Sequence, residues 1–481
     1  MKKLLIAFLM LVAIGTQAQY TTPGTAVNWN FDSLSNASNA VTKSGSTYQV
    51  NQNILLSLTD TLRIDSNIIV EFGSNVELEV LGSFISNPKD SAVLTATNSN
   101  QVYDQIRIDD SDGSYFNHTI FEYGGGLNVL NSDFTVENCV FRFNDANNDG
   151  AIDLFRSDLL IQNNHFYQNQ GPAINSGANI ASAPIVLNNR IEGNVANGGN
   201  KSQINFGATG TDTLIIKGNT IIGQYSNAGG VAIFPLGGAI TIIDSNIIDG
   251  NRYGIAQLNS NNWSQISRNQ ISNNNTQGNP NLGGSGINFN GDASNKSIIS
   301  ENEIYGNLWG ITIQNTAKPN IGDLRSASYN VGLNEIYNNN NGGNEYNIFN
   351  NTPDSIYAQN NIWNYANLTA VENTISHKPD DPSLGYVRYT PINALITALE
   401  EKSKANSSTK LYPNPSNSQF TVASDFDVHR IDWFNLEGKL VRSDKQTGLR
   451  KVELEENELK GQFFIRITGK NRTVVKKLLL K

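Results

Sequence analysis

The chain has 481 residues, a formal net charge of −9 and a single cysteine. One cysteine excludes a framework of internal disulfides and any zinc site built from cysteines. The acidic balance argues against nucleic acid as a partner. About 70 residues are asparagine, which favours turns over helices, so the composition also excludes a helical bundle.

The N-terminus has the pattern of a secretory signal peptide. Lys2 and Lys3 precede an apolar run over residues 4–14, which is followed by Thr16-Gln17-Ala18. The run is shorter than the roughly 20 apolar residues that a membrane-spanning helix needs. We therefore predict a signal peptide over residues 1–18, export of the chain, and no transmembrane segment.

An asparagine followed two positions later by an apolar residue recurs through the middle of the chain. The anchors are Asn138, Asn164, Asn189, Asn219, Asn246, Asn269, Asn302, Asn334 and Asn360. His118 takes the same place in one earlier, divergent copy. Successive asparagine anchors stand roughly 23 to 33 residues apart, and a period of this length is typical of a solenoid.

Polar and apolar residues alternate around each anchor, which is typical of half-buried strands. A coil of about 25 residues cannot bury its apolar face alone, but stacked coils can. Asparagine tolerates left-handed turn geometry, and its amide can bond to the asparagines above and below it. We therefore predict a stack of coils in which His118 and the nine anchor asparagines form a structural ladder.

Residues 136–144 (VENCVFRFN) and 298–307 (IISENEIYGN) resemble the right-handed parallel β-helix family, the pectate-lyase-like solenoids. Residues 360–364, 380–382 and 387–391 resemble the segment that closes such solenoids, with Asn364 where glycine is common. The resemblance implies an all-β solenoid over residues 19–396, with coils from about 45 to 392. It says little about function, because this fold carries lyases, hydrolases and non-catalytic surface proteins.

The C-terminal part of the chain differs from the repeats in periodicity and charge. Residues 397–410 have no periodicity and are predicted to be a linker, and residues 411–481 carry a net charge of +4. The segments LYPNP at 411–415, FNLEGKLV at 434–441 and LKGQFFIRI at 459–467 resemble the type A C-terminal sorting domain of type IX secretion. The resemblance implies a small β-sandwich bound by the export machinery, a Bacteroidetes-type bacterium, and delivery to the cell surface or medium. An immunoglobulin-like binding module is the alternative.

No recognisable catalytic constellation is present. A lyase needs a base and cationic groups, and a glycoside hydrolase needs two carboxylates across the scissile bond. Arg252 and Arg268 are the one pair that we single out as a candidate base.

Calcium is the one cofactor for which the sequence offers ligands. Asp145, Asn147 and Asp149 match the first half of a calcium loop, but Arg156 stands where the pattern requires glutamate. A simple polar turn is the competing interpretation. The sequence indicates no other metal site or cofactor.

Aromatic residues recur three positions after the anchors of three consecutive coils. They are Tyr305, Tyr337 and Trp363. The alternation predicts that they face outward, where rings about 5 Å apart could form a platform for sugar rings. The leading hypothesis is therefore an exported β-helix that binds carbohydrate or another surface partner. The alternatives are a polysaccharide lyase or glycoside hydrolase, and a purely structural rod.

Overall fold

The computed structural model describes residues 19–145, 150–365, 367–393, 409–435, 440–470 and 473–481. The chain divides into two compact units, with the division between Leu395 and Ile396. The predicted signal peptide over residues 1–18 lies outside the described residues, as does the predicted linker up to residue 408.

The first unit is a parallel β-helix of three sheets, which confirms the predicted fold class. Between Asn53 and Tyr337, each turn of the chain adds one strand to sheet A, then one to sheet B, then one to sheet C. Sheet A consists of Gln19–Thr21, Asn53–Leu56, Leu78–Val80, Ile106–Asp109, Leu127–Leu130, Ile152–Phe155, Ile174–Ser176, Ser202–Phe206, Gly229–Ile233, Ile255–Leu258, Ser285–Gly291, Trp309–Asn315, Ile348–Asn351 and Ile375–Ser376.

Sheet B consists of Asn28–Trp29, Thr61–Ile64, Ser83–Ser86, Tyr115–Asn117, Thr135–Glu137, Leu160–Gln162, Ile185–Leu187, Thr213–Lys217, Ala239–Asp244, Asn262–Ser267, Lys296–Ser300, Lys318–Gly322, Ile356–Ala358 and Val387–Arg388. Sheet C consists of Val41–Ser44, Thr47–Val50, Ile69–Phe72, Ala92–Ala96, Thr119–Glu122, Val140–Arg142, His165–Tyr167, Arg190–Glu192, Thr220–Ile222, Ile247–Asp249, Gln270–Ser272, Glu303–Tyr305 and Glu335–Tyr337. The first two strands of sheet C pair antiparallel, whereas the other strand pairs of the three sheets are parallel.

Short elements lie outside the three sheets. They are the helices Phe31–Ala37 and Leu368–Glu372, the 3₁₀ turn Ser326–Ser328, and the hairpin Asn340–Asn341 with Asn344–Glu345.

The first coil begins at Gln19, earlier than the predicted residue 45. Asp60 fixes this coil, because its carboxylate accepts the backbone N–H groups of Gly24 and Val27 at 3.0 and 2.9 Å.

Alternating side chains of every strand fill the interior of the solenoid. In sheet C, Ile248, Ile271, Ile304 and Ile336 are fully buried and lie in register on consecutive coils. Glycines mark the start of the strands of sheet A where neighbouring coils approach closely. A Cβ atom on Gly254 would lie 2.4 Å from the carbonyl oxygen of the next coil, so only glycine fits this position.

One column of amides runs along the turn between sheet B and sheet C. Each side chain donates from Nδ2 to the Oδ1 of the asparagine one coil later, over 2.9 to 3.1 Å. The column consists of Asn164, Asn189, Asn219, Asn246, Asn269, Asn302, Asn334 and Asn361. The buried amides therefore satisfy one another, as a ladder requires.

The predicted ladder is wrong at His118, Asn138 and Asn360. These three residues have φ angles of 47°, 52° and 60° and form the turn that precedes the column. Left-handed geometry suits asparagine, and the anchor pattern does not separate this turn residue from the ladder residue that follows it. In these coils the column position is held by the next residue, namely Thr119, Cys139 and Asn361.

A second column of amides runs along the turn between sheet C and sheet A. Its members are joined by side-chain hydrogen bonds of 2.7 to 3.1 Å. They are Asn144, Asn169, Asn194, Gln203, Asn251, Asn274, Asn307 and Asn339. Gln203 bridges the coil whose repeat has Gln224 in place of asparagine, so the column is continuous.

The second unit is one antiparallel sheet of five strands. The strands are Lys410–Tyr412, Gln419–Phe434, Leu440–Glu455, Gly461–Gly469 and Thr473–Leu480. Register shifts follow Ala423 and Val428, so the long strand bends between its two halves. Trp433 is fully buried in the core of this unit and donates from Nε1 to Asp444 at 2.8 Å.

Candidate functional site

A cleft of about 450 Å³ lies on the outer face of sheet A. Its floor is formed by the outward residues of four neighbouring strands, because Ile255, Ile287, Ile311 and Ile348 occupy the inward positions. One wall is the loop over residues 275–284. This loop accounts for the longest gap of the repeat, between the anchors Asn269 and Asn302.

Two side chains of the solenoid donate hydrogen bonds to the backbone of the wall loop. Arg252 donates from Nε to the carbonyl oxygen of Leu282 at 2.6 Å. Trp309 donates from its indole N–H to the carbonyl oxygen of Pro280 at 3.2 Å. These contacts place both side chains at the edge of the cleft and give the wall a defined position.

The lining of the cleft is mostly neutral and polar. An aromatic pair lies among the amides, with the rings of Trp309 and Phe349 5.4 Å apart and inclined by 27°. Ser285 and Thr312 share a hydroxyl hydrogen bond of 2.9 Å. Among the described residues that line the cleft, Arg252 is the one charged side chain. The amides of the lining are Asn200, Asn281, Asn288, Asn290, Gln314 and Asn351.

Asn288 carries an unused acceptor in this lining. Its Oδ1 is buried and accepts no hydrogen bond from the described residues. A buried amide oxygen without a donor is costly, and a ligand hydroxyl would satisfy it once the Asn288 side chain turns its Oδ1 toward the cleft.

Tyr253 is the other ionisable residue in the lining. Its hydroxyl shares a hydrogen bond of 2.8 Å with Ser202, and the guanidinium carbon of Arg252 lies 5.6 Å from its ring centroid. Burial raises the pKa of Tyr253. Its phenol therefore stays protonated at neutral pH and serves as a hydrogen-bond donor rather than as a base.

The predicted pair of Arg252 and Arg268 does not form one site. Arg252 lies in the turn between sheet C and sheet A, whereas Arg268 lies in the turn between sheet B and sheet C. Arg268 pairs with Asp244 at 2.5 Å, and Lys217 pairs with the same carboxylate at 3.2 Å. The prediction of the pair as a base is therefore wrong, because the two arginines stand at different corners of the solenoid.

Tyr305 and Tyr337 face outward on sheet C and are stacked. Their ring centroids are 5.2 Å apart and their planes differ by 4°. Tyr337 donates its hydroxyl to Glu303 at 2.6 Å, and Gln270 donates to the hydroxyl of Tyr305 at 2.7 Å. Because the rings cover each other, the pair offers ring edges and two outer faces rather than a broad platform.

Trp363 does not join this stack. It lies two positions after the ladder residue Asn361 and is therefore directed inward, with 1% of its surface exposed. The prediction of a third outward ring is wrong, because the ladder position in this coil is Asn361 and not Asn360. This shift by one residue turns Trp363 inward.

The predicted calcium loop falls mostly outside the described residues. Asp145 is exposed, and its backbone N–H bonds to the carbonyl oxygen of Gly124. Asn147 and Asp149 lie outside the described residues, so the loop stays a prediction. Within the described ranges, no group of three or more histidine, cysteine, aspartate or glutamate side chains could hold a metal ion.

The cleft itself was not predicted from the sequence. One signal pointed toward it, namely the longest gap of the repeat, which ends at Asn302. Such insertions are predicted to project as loops, but the sequence does not say over which sheet a loop folds.

Comparison with known proteins identifies the second unit. Residues 410–481 match the family described as the secretion system C-terminal sorting domain. The chain is therefore exported through the type IX secretion system to the cell surface or the extracellular space. Of the described helices, none has the length and apolar character needed to span a bilayer.

The chain has a distant structural neighbour. It is the crystal structure of alginate lyase from Paenibacillus sp. str. FPU-7, with 10% identity and a TM-score of 0.17. The similarity covers 78% of this chain and 99% of that chain. This likeness is too weak to support an argument about activity. No curated protein matches the sequence.

Proposed function

We propose that this exported protein binds a polysaccharide chain in the cleft on the outer face of sheet A. Ligand sites commonly combine an apolar wall with a few convergent polar groups. The observation that carries the proposal is the Trp309–Phe349 pair in a cleft lined mostly by amides, among them Asn288, whose Oδ1 has no donor among the described residues.

The aromatic pair supplies the apolar part of the proposed site. A pyranose ring has one face of C–H groups, which gains free energy when it packs against an aromatic surface. The indole N–H of Trp309 is already bonded to Pro280. The ring is therefore fixed in place before a ligand arrives, which lowers the entropy cost of binding.

The amides supply the polar part. Asn290, Gln314 and Asn351 lie in register on three consecutive strands, about 4.8 Å apart. Amides carry both donors and an acceptor, which suits the vicinal hydroxyls of successive sugar units. The Oδ1 of Asn290 already accepts from the Nδ2 of Asn315 at 2.5 Å, so this residue offers chiefly its donors. A column of this kind favours an extended chain that crosses several coils.

A polysaccharide lyase or glycoside hydrolase is the alternative function. Hydrolysis generally uses two carboxylates, and no carboxylate is found among the described residues that line the cleft. For β-elimination, Arg252 and Tyr253 are the ionisable groups of the lining, and the raised pKa of Tyr253 disfavours its use as a base. These observations support binding over turnover.

The test is retention of the protein by polysaccharides immobilised in a native gel, with neutral and acidic polymers in separate lanes. We expect at least one polymer to retard the protein, and Trp309→Ala to reduce that retardation about tenfold. Tyr329→Ala is the matched control, because this ring is 63% exposed and lies outside the lining. Equal retardation of all three proteins contradicts the proposed site.

Two further arms separate the competing hypotheses. The stacked pair on sheet C stays a candidate contact surface, and Tyr337→Ala tests it. If only this variant loses retardation by the polysaccharide, the site lies on sheet C rather than on sheet A. Incubation with the retained polymer tests turnover. New reducing ends or unsaturated products would favour the lyase or hydrolase.

A further inference from the structure

The outer face of sheet B extends over eight neighbouring strands from Thr135–Glu137 to Lys318–Gly322 and carries an apolar strip on its six central strands. Ile185, Ile240, Trp263 and Ile298 are 36 to 38% exposed on this face. An outward strand position on a solvated sheet is normally polar. We call these eight strands the sheet B face.

Two columns of outward residues carry the charge and the apolar surface of the sheet B face. In the central column, each residue pairs with the next one along the solenoid. It consists of Thr135, Leu160, Ile185, Ile215, Ile242, Gln265, Ile298 and Asn320. The outer column stands two positions earlier in each coil. It consists of Asp133, Asp158, Ala183, Thr213, Ile240, Trp263, Lys296 and Lys318.

The outer column changes sign along its length. Asp133 and Asp158 stand at one end, Lys296 and Lys318 stand at the other, and neutral residues lie between them. Asp133, Asp158 and Lys296 form no salt bridge with the described residues. Lys318 has one long pair, at 3.5 Å to Asp354. The two ends therefore keep opposite charges that are largely uncompensated within one copy.

We propose that a second copy of this chain covers the sheet B face, with the two solenoid units antiparallel. The two-fold axis lies along the strand direction, between Ile215 and Ile242. Rotation about it reverses the order of the coils but keeps each column on its own side. Asp133 of one copy then faces Lys318 of the other, and Asp158 faces Lys296.

The same axis places apolar residues of one copy against apolar residues of the other. Ile215 of one copy meets Ile242 of the other, and Leu160 meets Ile298. Such an interface is isologous, as most homodimer interfaces are. The charge pattern favours a second copy, because each end of one copy meets the opposite charge on the other. It also favours the antiparallel orientation, since a parallel one would bring lysine to lysine and aspartate to aspartate.

Electrostatics within one copy agree with this arrangement. Burial and the nearby charges of Asp133 and Asp212 raise the pKa of Asp158. The carboxylates at this end therefore repel one another, and lysines from a second copy would relieve that repulsion.

The size of the face predicts a weak dimer. Eight strands extend over about 34 Å, and a strip about 15 Å wide gives about 500 Å² per copy. The total of about 1,000 Å² is near the lower limit for specific interfaces. We therefore expect dissociation in the micromolar range.

Sedimentation velocity of the full chain tests this proposal. The wild type should shift from monomer to dimer between about 1 and 100 μM. Lys296→Glu with Lys318→Glu, and separately Asp133→Lys with Asp158→Lys, should each give monomers over that range. An equimolar mixture of the two double variants should form a heterodimer, because opposite charges then meet at both ends.

Controls separate loss of the interface from loss of the fold. Asp133 and Asp158 accept the backbone N–H groups of Asp158 and Ala183, so Asp133→Asn with Asp158→Asn keeps these acceptors and should still weaken the dimer. Lys89→Glu removes an exposed lysine elsewhere and should leave dimerisation unchanged. A wild type that stays monomeric at about 100 μM, or a mixture of the two folded charge variants without heterodimer, overturns the proposal.

Discussion

Asn246 donates a hydrogen bond from its Nδ2 to the Oδ1 of Asn269, one coil later, over 2.9 Å. The same Nδ2 donates to the carbonyl oxygen of Ile216, also at 2.9 Å. The Oδ1 of Asn246 accepts both the backbone and the side-chain N–H of Asn219, at 2.9 and 3.0 Å. A single buried amide thus joins three consecutive coils of the solenoid.

Replacing Asn246 by alanine should destabilise the first unit by about 2 to 4 kcal/mol, because buried donors and acceptors lose their partners. Urea denaturation followed by far-UV circular dichroism measures this change. Asn100→Ala is the matched control, because Asn100 lies in an exposed loop. A loss no larger than that of the control would show that the ladder contributes little to stability.

The first coil should loosen at low pH because of Asp60. Burial raises the pKa of this carboxyl, but hydrogen bonds from Thr22, Val27, Gly24 and Trp29 outweigh burial and lower it to about 2. A lowered pKa in the folded state stabilises the fold above the unfolded value near 4, and this stability is lost as the pH falls toward 2. The shift corresponds to about 2 to 3 kcal/mol.

Hydrogen exchange of the Gly24 and Val27 amides tests the role of Asp60. Asp60→Asn should speed exchange at pH 7, and the difference from wild type should disappear near pH 2. Asp65→Asn changes an exposed carboxylate and should have no effect. Equal protection of the two amides in Asp60→Asn and wild type at pH 7 would contradict the assignment.

Glu335 should reduce stability at neutral pH. Burial and the charge of Glu303 both raise the pKa of Glu335. A raised pKa means that the folded state disfavours the carboxylate, so the fold loses stability as the pH rises through that pKa. Glu335→Gln should therefore raise the melting temperature at pH 8 and leave it unchanged near pH 4. If the gain is the same at both pH values, ionisation of Glu335 is not its cause.

The two arginines singled out from the sequence should behave differently. Arg252→Ala removes a side chain of the cleft and should weaken retention by the polysaccharide that binds best. Arg268→Ala removes one of the two cations that pair with the nearly buried Asp244. It should lower the melting temperature and leave retention unchanged. Equal losses of retention in both variants would argue against a site at the cleft.

The repeat made the fold predictable, since a period of roughly 23 to 33 residues with alternating polarity has few structural solutions. The exact ladder position was harder to predict. Asn360 and Asn361 are adjacent, and both satisfy the anchor pattern, because Ile362 and Trp363 stand two positions after them. Gly218 before Asn219 was the informative case, because a glycine indicates the turn position, and the structure gives this residue a φ of 68°.

The cleft and the sheet B face depend on information that a single coil does not contain. Trp309 and Phe349 are far apart in the sequence and meet because their strands are neighbours in sheet A. Asp158 and Lys296 belong to one column only once the register of five intervening strand pairs is known. Loop lengths vary between coils, so this register cannot be counted from the sequence.

A crystal structure of the protein with the best-retained oligosaccharide tests the central claim most directly. We predict a sugar ring packed on Trp309 and Phe349, with the side chain of Asn288 turned so that a sugar hydroxyl donates to its Oδ1. Density for the sugar on sheet C against Tyr305 and Tyr337, with the cleft on sheet A unoccupied by sugar, would contradict it.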